Sequence, residues 1–100
     1  MPLSSVSVPP AAPVISASAE SGQIAVTWGS VPGAVKYAVY RAAYENGKWG
    51  KWTALSTVVK GASTGYADTT ARAGVKYQYR MKAFNGLWSA YSGTVTVFGE

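Results

Sequence analysis

The side chains of this chain that could act as acids or bases are four carboxylates, and they are far apart in the sequence: Glu20, Glu45, Asp68 and Glu100. Hydrolysis by a carboxylate pair requires both groups to flank one scissile bond. No two of these residues fall on the same face of a predicted strand, so we expect no such pair. Asp68 lies just before a loop, where an aspartate side chain commonly accepts hydrogen bonds from nearby backbone.

Histidine and cysteine are both absent from the chain. The commonest general base and the thiolate and imidazole metal ligands are therefore missing, and the redox compartment stays open. Serines are plentiful, but a Ser-Lys nucleophile would have no recognisable motif here. No glycine-rich phosphate loop opens a helix. We expect a domain that is not an enzyme and that has no metal and no cofactor.

Size and composition fit one compact domain: 100 residues, 48% of them hydrophobic and 13% charged. The net charge of +5 favours solubility and permits attraction to anionic polymers. No apolar run approaches the ~20 residues that cross a bilayer, so no membrane insertion is expected. The first residues lack the basic start and apolar centre of a signal peptide.

The elements that must position any site are best seen in residues 74–85, where apolar and polar side chains alternate. Tyr77, Tyr79, Met81 and Ala83 have one parity; Lys76, Gln78, Arg80 and Lys82 have the other. A period of two with several aromatic residues predicts a β-strand with one buried and one wet face.

Further short strands are predicted along the chain, separated by turn residues such as Pro32-Gly33, Asn46-Gly47 and Asn85-Gly86. Their predicted ranges are 14–19, 23–28, 36–41, 49–57, 64–69 and 92–98, and the facing of the strand around 49–57 stays open. Seven strands without a helical period indicate an all-β, seven-stranded antiparallel β-sandwich.

Four segments together resemble the fibronectin type III family, in the version common in secreted bacterial proteins. They are Val26-Thr27-Trp28, Ala34 to Arg41, Gly65 to Thr69, and Gly74 to Ala83, followed by Trp88-Ser89 and Ser92. The resemblance extends from Pro13 to about Phe98. It implies an immunoglobulin-like topology, with residues 1–12 as a flexible Pro/Ser/Ala-rich leader or linker, 13–98 as the domain and 99–100 as a tail.

The resemblance also implies a structural core and a corner. Tyr77 would be the corner tyrosine, its hydroxyl bonding the backbone across the loop. Ala71 stands where the family usually has a leucine, which predicts a thinner cover of the core at that point. The implied core residues are Trp28, Tyr37, Val39, Tyr66, Tyr77, Tyr79 and Met81.

Aromatic and basic side chains outside this core are the candidate ligand-binding residues: Trp49, Trp52, Trp88, Tyr91, Tyr40 and Arg80. Aromatic rings can cover the apolar face of a sugar or anchor a protein contact. The alternative is that the basic residues form a solvated sheet face and that Trp52 and Trp88 cap the ends of the sandwich. The family layout places Trp49 and Trp88 apart, which disfavours one flat sugar platform.

The function expected from the resemblance is that of a non-catalytic accessory or spacer module in a larger extracellular bacterial protein, such as a polysaccharide-degrading enzyme or surface protein. Its partners would be the neighbouring domains of the same chain, and the module would be a monomer that does not bind nucleic acid. The alternatives are a dedicated module for a polysaccharide or protein ligand, using the tryptophans and loops, and an engineered binding scaffold.

Overall fold

The computed structural model describes residues 8–100, with the backbone alone at Val58. Two antiparallel sheets form a β-sandwich: a three-stranded sheet in the order β1-β2-β6, and a five-stranded sheet in which β3 pairs with β4, β5 and β7, and β7 pairs with β8. Within the described residues, no helix is long and apolar enough to span a membrane. The strands are β1 (Ile15–Glu20), β2 (Gln23–Trp28), β3 (Lys36–Glu45), β4 (Lys48–Trp49), β5 (Thr53–Lys60), β6 (Gly65–Asp68), β7 (Lys76–Phe84) and β8 (Val95–Phe98).

The predicted all-β sandwich is confirmed, with one difference in its strands. The strand predicted at 49–57 is divided into β4 and β5, so the structure has eight strands rather than seven. The Asn46-Gly47 turn is confirmed: both residues have positive φ, 54° and 79°, as a tight hairpin requires. After this turn only two residues pair with the end of β3, at Tyr44↔Trp49 and Glu45↔Lys48. The chain then leaves the edge at Gly50 and resumes pairing with β3 as β5.

The core lies between the sheets and is filled by alternate residues of their inner faces. On β7 the pattern of buried and partly buried residues alternates without interruption over nine positions. Trp28 and Tyr37 pack with their ring centroids 5.2 Å apart. Tyr66 and Ala71 are only partly buried and pack against the edge of this cluster. The buried members include Ile24, Val26, Trp28, Tyr37, Val39, Tyr77, Tyr79, Met81 and Ala83.

The two ends of the described chain lie at opposite poles of the sandwich. Ile15 begins β1 opposite Trp28, the last residue of β2. At the other pole, the Gly22 amide of the β1–β2 turn donates a 3.3 Å hydrogen bond to the Glu100 carbonyl. The chain therefore enters at one pole and leaves at the other.

Residues before β1 contact the pole at which the chain enters. Pro10 and Pro13 are buried, and the side-chain Nδ2 of Asn85 donates a 2.9 Å hydrogen bond to the Val8 carbonyl. Val8 and Pro10 lie within residues 1–12, which were predicted to be a leader or linker, and Pro13 lies just after them. Contacts with the sandwich therefore begin before the predicted start of the domain. Residues 1–7 of that leader lie outside the described residues.

Candidate functional site

The six candidate ligand-binding residues share one surface, the outer face of the five-stranded sheet. Even-numbered residues of β3 and β7 point to this face, because their odd-numbered neighbours fill the core. Tyr40 and Arg80 are directly opposite each other in the β3–β7 register. We call this surface the aromatic face; its ring-bearing residues are Tyr40, Tyr44, Trp49, Trp52, Phe84, Trp88, Tyr91 and Phe98, and its cations are Lys36, Lys60, Lys76, Arg80 and Lys82.

Small residues of β3 form the floor of the aromatic face. Ala38 has the outward parity expected from the sequence, yet it is fully buried, and Ala42 is 1% exposed. Longer side chains of the aromatic face cover both methyl groups, so the outside of this sheet carries a second packed layer.

Two serines hold the segment that carries Trp88 and Tyr91 against β7. The Ser89 amide donates to the Ala83 carbonyl at 2.8 Å, and the Ala83 amide donates back to the Ser89 Oγ at 2.9 Å. Ser92 and Met81 form the same reciprocal pair, at 2.7 and 3.0 Å. Trp88 and Tyr91 each come directly before one of these serines. The serine bonds to β7 therefore hold both rings at the aromatic face. Both serines belong to the family resemblance, but no pattern in the sequence predicted their bonds to β7.

Cations are interleaved with the rings on the aromatic face. The Arg80 guanidinium carbon lies 3.8 Å from the Tyr91 ring centroid and 4.2 Å from that of Trp52. The Lys82 Nζ lies 4.6 Å from the Trp88 ring centroid. Contacts of this kind are attractive and restrict long side chains that would otherwise sample many rotamers. Trp49, Trp52 and Trp88 are all partly buried. The facing of the segment around 49–57, which the sequence left open, is that Trp49 and Trp52 lie on the outer face of the sheet.

The rings divide into two groups along the sheet. At one end, Lys76 Nζ lies 4.7 Å from the Tyr44 ring centroid, and Tyr44 makes an edge contact with Trp49 at 5.2 Å. At the other end, the Phe84 and Trp88 ring centroids are 4.7 Å apart. Trp49 therefore belongs to a different group from Trp88. The three tryptophans share a face but do not form one continuous ring platform.

The basic side chains of the aromatic face have no carboxylate among them. Within residues 8–100, the ion pairs are Arg41–Asp68 and Arg72–Glu45. Glu20 and Asp68 belong to the other sheet, Glu45 has the opposite parity on β3, and Glu100 lies beyond the end of β8. The five cations of this face therefore carry a formal charge equal to the +5 of the whole chain.

Asp68 is buried, and its carboxylate accepts hydrogen bonds inside the sandwich. Its Oδ2 accepts hydrogen bonds from Tyr79 Oη at 2.6 Å and Arg41 Nη1 at 2.8 Å, and its Oδ1 accepts from the Thr70 amide and hydroxyl at 3.0 and 2.7 Å. Burial alone would raise the pKa of Asp68, but the hydrogen bonds from Tyr79, Thr70 and Arg41 outweigh it and hold this pKa below its ordinary value. Burial and the bond to Asp68 raise the pKa of Tyr79, so its hydroxyl stays a donor.

The arrangement around Asp68 leaves little capacity for chemistry, since both oxygens already accept two hydrogen bonds each. The position of Asp68 before a loop predicted its bond from backbone, found at Thr70, but not its bonds from Arg41 and Tyr79. Their signal was present: Arg41 and Tyr79 have the inward parity on two neighbouring strands. Within the described residues, no three side chains of the metal-ligating types come together.

The corner of the sandwich has the geometry that the family resemblance implies. The Tyr77 hydroxyl accepts a 2.8 Å hydrogen bond from the Arg72 amide. Tyr77 itself is 2% exposed, so the bond ties the β6–β7 connection to the core.

Comparisons with known proteins agree with this geometry. The sequence model described as "Fibronectin type III domain SaeA third domain" matches residues 14–87. A solved Fn3-like protein from Clostridium thermocellum is 32% identical, with a TM-score of 0.75; the match covers 93% of this chain and 96% of that one. No curated protein sequence matches the chain.

Similar folds also occur inside much longer chains. A β-1,2-glucanase from Parabacteroides distasonis matches with a TM-score of 0.73 and 23% identity, over 90% of this chain and 13% of the glucanase. A pectate lyase from Erwinia chrysanthemi, solved with tetragalacturonic acid, matches with a TM-score of 0.70 and 20% identity, over 87% of this chain and 28% of the lyase. These two likenesses show the fold alone. Together with the matching sequence model and the Clostridium thermocellum relative, the sandwich and its tyrosine corner lead to one conclusion: the chain belongs to the fibronectin type III family.

Proposed function

We propose that the chain is a non-catalytic accessory module that holds neighbouring domains apart in a larger extracellular bacterial protein. The observation that carries this proposal is the position of the chain ends. Ile15 begins the first strand at one pole, and Glu100 lies beside Gly22 at the other. A domain that is joined to its neighbours at opposite poles lengthens the protein by the length of the domain. Such a domain does not place its two neighbours side by side.

The rigidity of the sandwich supports a spacer role. The Asp68 bonds join β6 of one sheet to β3 and β7 of the other, and the Tyr77 bond fixes the corner. A spacer needs this resistance to bending more than it needs a pocket.

The known relatives support the wider setting. In the glucanase and the pectate lyase, the matched region is a small part of a longer enzyme chain. An accessory position beside a polysaccharide-degrading domain, outside the cell, is the corresponding proposal for this chain. Asp68 being fully hydrogen-bonded supports a non-catalytic role.

The in-line geometry can be tested by small-angle X-ray scattering on one, two and three tandem copies of the chain. The longest strands have nine and ten residues, so each copy should add about 30 Å to the maximum dimension. Tandem copies that stay as compact as a folded-back dimer or trimer would contradict the proposal.

The functional test uses the parent protein. Replacing this module with an unrelated sandwich that also has its ends at opposite poles should preserve the distance between the parent's neighbouring domains, measured by small-angle scattering. Replacing it with a flexible glycine-serine linker should alter domain spacing. A changed distance between those domains with the unrelated sandwich would contradict the spacer role.

A further inference from the structure

Charge on the aromatic face is arranged in a way that a spacer does not require. All of the chain's formal net charge is found there, on side chains that have no carboxylate partner within residues 8–100. Elsewhere in the molecule, four cations and four carboxylates balance. Charge complementarity therefore favours an anionic ligand on this face.

The register of the sheet makes this concentration of charge more pronounced. Lys36 on β3 and Lys60 on β5 are direct cross-strand partners. Like charges directly opposite each other on a sheet are destabilising, because their side chains share one surface at short range. The Lys36 Nζ leans toward β7 and lies 4.7 Å from the Phe84 ring centroid, so the two lysines repel through the face they share and not through direct contact. An anion bound on that face would relieve the repulsion.

The rings hold part of this charge in place before any ligand arrives. Arg80 lies between the rings of Trp52 and Tyr91, and Lys82 lies over Trp88. Side chains ordered in this way lose less rotamer freedom on binding, which lowers the cost of association.

The same contacts argue against nucleic acid as the ligand. Single-stranded nucleic acid is bound largely by stacking its bases on free aromatic faces. Here cations already lie over the rings of Trp52, Trp88 and Tyr91. Tyr44 and Tyr91 are 37% and 39% exposed, and their phenol groups can hydrogen-bond to a ligand rich in hydroxyls.

We propose that the aromatic face binds an acidic polysaccharide, with sugar carboxylates paired to Lys36, Lys60, Arg80 and Lys82 and sugar hydroxyls bonded to the tyrosines. This site is separate from the spacer role, which depends only on the chain ends. Either proposal can fail while the other stands.

The test is a titration of the isolated chain with polygalacturonate at about 50 mM salt, followed by ¹H–¹⁵N NMR, including the tryptophan indole signals. The matched neutral polymer is fully methyl-esterified polygalacturonate, which keeps the backbone and removes the charge. We expect binding to the acid form, with shifts at Trp52 and Trp88, no binding to the ester, and weakening at about 500 mM salt because exposed charge pairs are screened.

Two double variants with the same loss of charge locate the site. Lys36→Gln with Lys60→Gln removes the cross-strand pair, whereas Lys48→Gln with Lys51→Gln removes charge at β4 and the β4–β5 connection. We expect roughly fivefold weaker binding for the first and little change for the second. The spectrum and melting temperature of each variant establish that it is folded.

Four outcomes would overturn the proposal. They are no binding of polygalacturonate, equal weakening by the two double variants, equal binding of the ester, and binding of a single-stranded oligonucleotide or of polyglutamate as tight as that of polygalacturonate. The last would show attraction to any polyanion or preference for another class of macromolecule.

Discussion

The Tyr79 hydroxyl on β7 donates a 2.6 Å hydrogen bond to the Asp68 carboxylate on β6, and this bond joins the two sheets. Arg41 binds the same carboxylate oxygen from β3, so three strands converge on one buried acid. A carboxylate at 1% exposure is costly unless it is hydrogen-bonded and charge-paired, and here it is both. The sandwich is therefore joined by a polar cluster as well as by its apolar core.

Replacing Asp68 by asparagine should destabilise the fold by about 3 kcal/mol, because the Arg41 guanidinium, whose side chain is only 21% exposed, would lose its charge partner inside the sandwich. The measurement is the free energy of unfolding from urea titration. Glu45→Gln is the matched control, since it also removes one carboxylate but breaks the exposed pair with Arg72, and it should cost less than about 1 kcal/mol. Equal losses in the two variants would contradict a structural role for the Asp68 cluster.

Stability should decline in acid because of the same residue. The pKa of Asp68 is lower in the folded chain than its ordinary value of 3.8, so the unfolded chain takes up the proton first as pH falls. Its stabilisation is then fully present above about pH 5 and is lost as the pH falls through the folded pKa. Urea titrations between about pH 2 and pH 7 should show this loss in the parent chain and a smaller slope in Asp68→Asn. If the free energy of unfolding declined equally with pH in the two proteins, Asp68 would not be the cause of the acid sensitivity.

Ser92→Ala should loosen the segment that carries Tyr91. The Met81 amide, which is buried, would lose the Ser92 Oγ as acceptor, at a cost of about 1–2 kcal/mol. The ring of Tyr91 should then separate from the Arg80 guanidinium, which NMR would detect as a change in the Arg80 side-chain signals. Ser63→Ala, in the β5–β6 connection, is the control and should leave those signals unchanged. An Arg80 signal that stays constant in Ser92→Ala would mean that the serine does not position Tyr91.

Tyr77→Phe should cost about 1 kcal/mol, since the Arg72 amide loses its bond to the hydroxyl while the ring remains in the core. Hydrogen exchange of the Arg72 amide should speed up in the variant. The control is Tyr40→Phe, because the Tyr40 hydroxyl takes part in no hydrogen bond within the described residues, and its stability should be unchanged. A stable Tyr77→Phe variant with slow exchange at Arg72 would exclude the corner bond as a source of stability.

Sequence alternation was enough to predict most of the strands and the buried face of β7, because a period of two is set locally by the backbone. The facing of Trp49 and Trp52 could not be predicted in this way. Trp49 ends β4 and Trp52 precedes the first residue of β5, so pairing with β3 is interrupted between them and one parity cannot continue through both residues. Trp88 and Tyr91 reach the aromatic face through serine bonds to β7, which follow from tertiary geometry. The inward parity of Arg41 and Tyr79 indicates that both face the core, but their shared partner Asp68 depends on the distance between the two sheets, which no local pattern encodes.

Lys60→Glu should stabilise the chain while weakening the proposed binding of acidic polysaccharide. The substitution turns the Lys36–Lys60 pair into one of opposite charges, a gain of roughly 0.5 kcal/mol that salt should reduce. Lys48→Glu is the matched control: it changes charge equally but faces Glu45 across the β3–β4 hairpin, so it should destabilise. Urea titration at low and high salt measures both effects, and the polygalacturonate titration measures binding. A Lys60→Glu variant that is less stable at low salt would show that the two lysines do not repel. One that binds polygalacturonate as the parent does would remove Lys60 from the site. If stability rises as binding falls, the unpaired charge on the aromatic face is maintained at the expense of the fold, which is the behaviour expected of a binding surface.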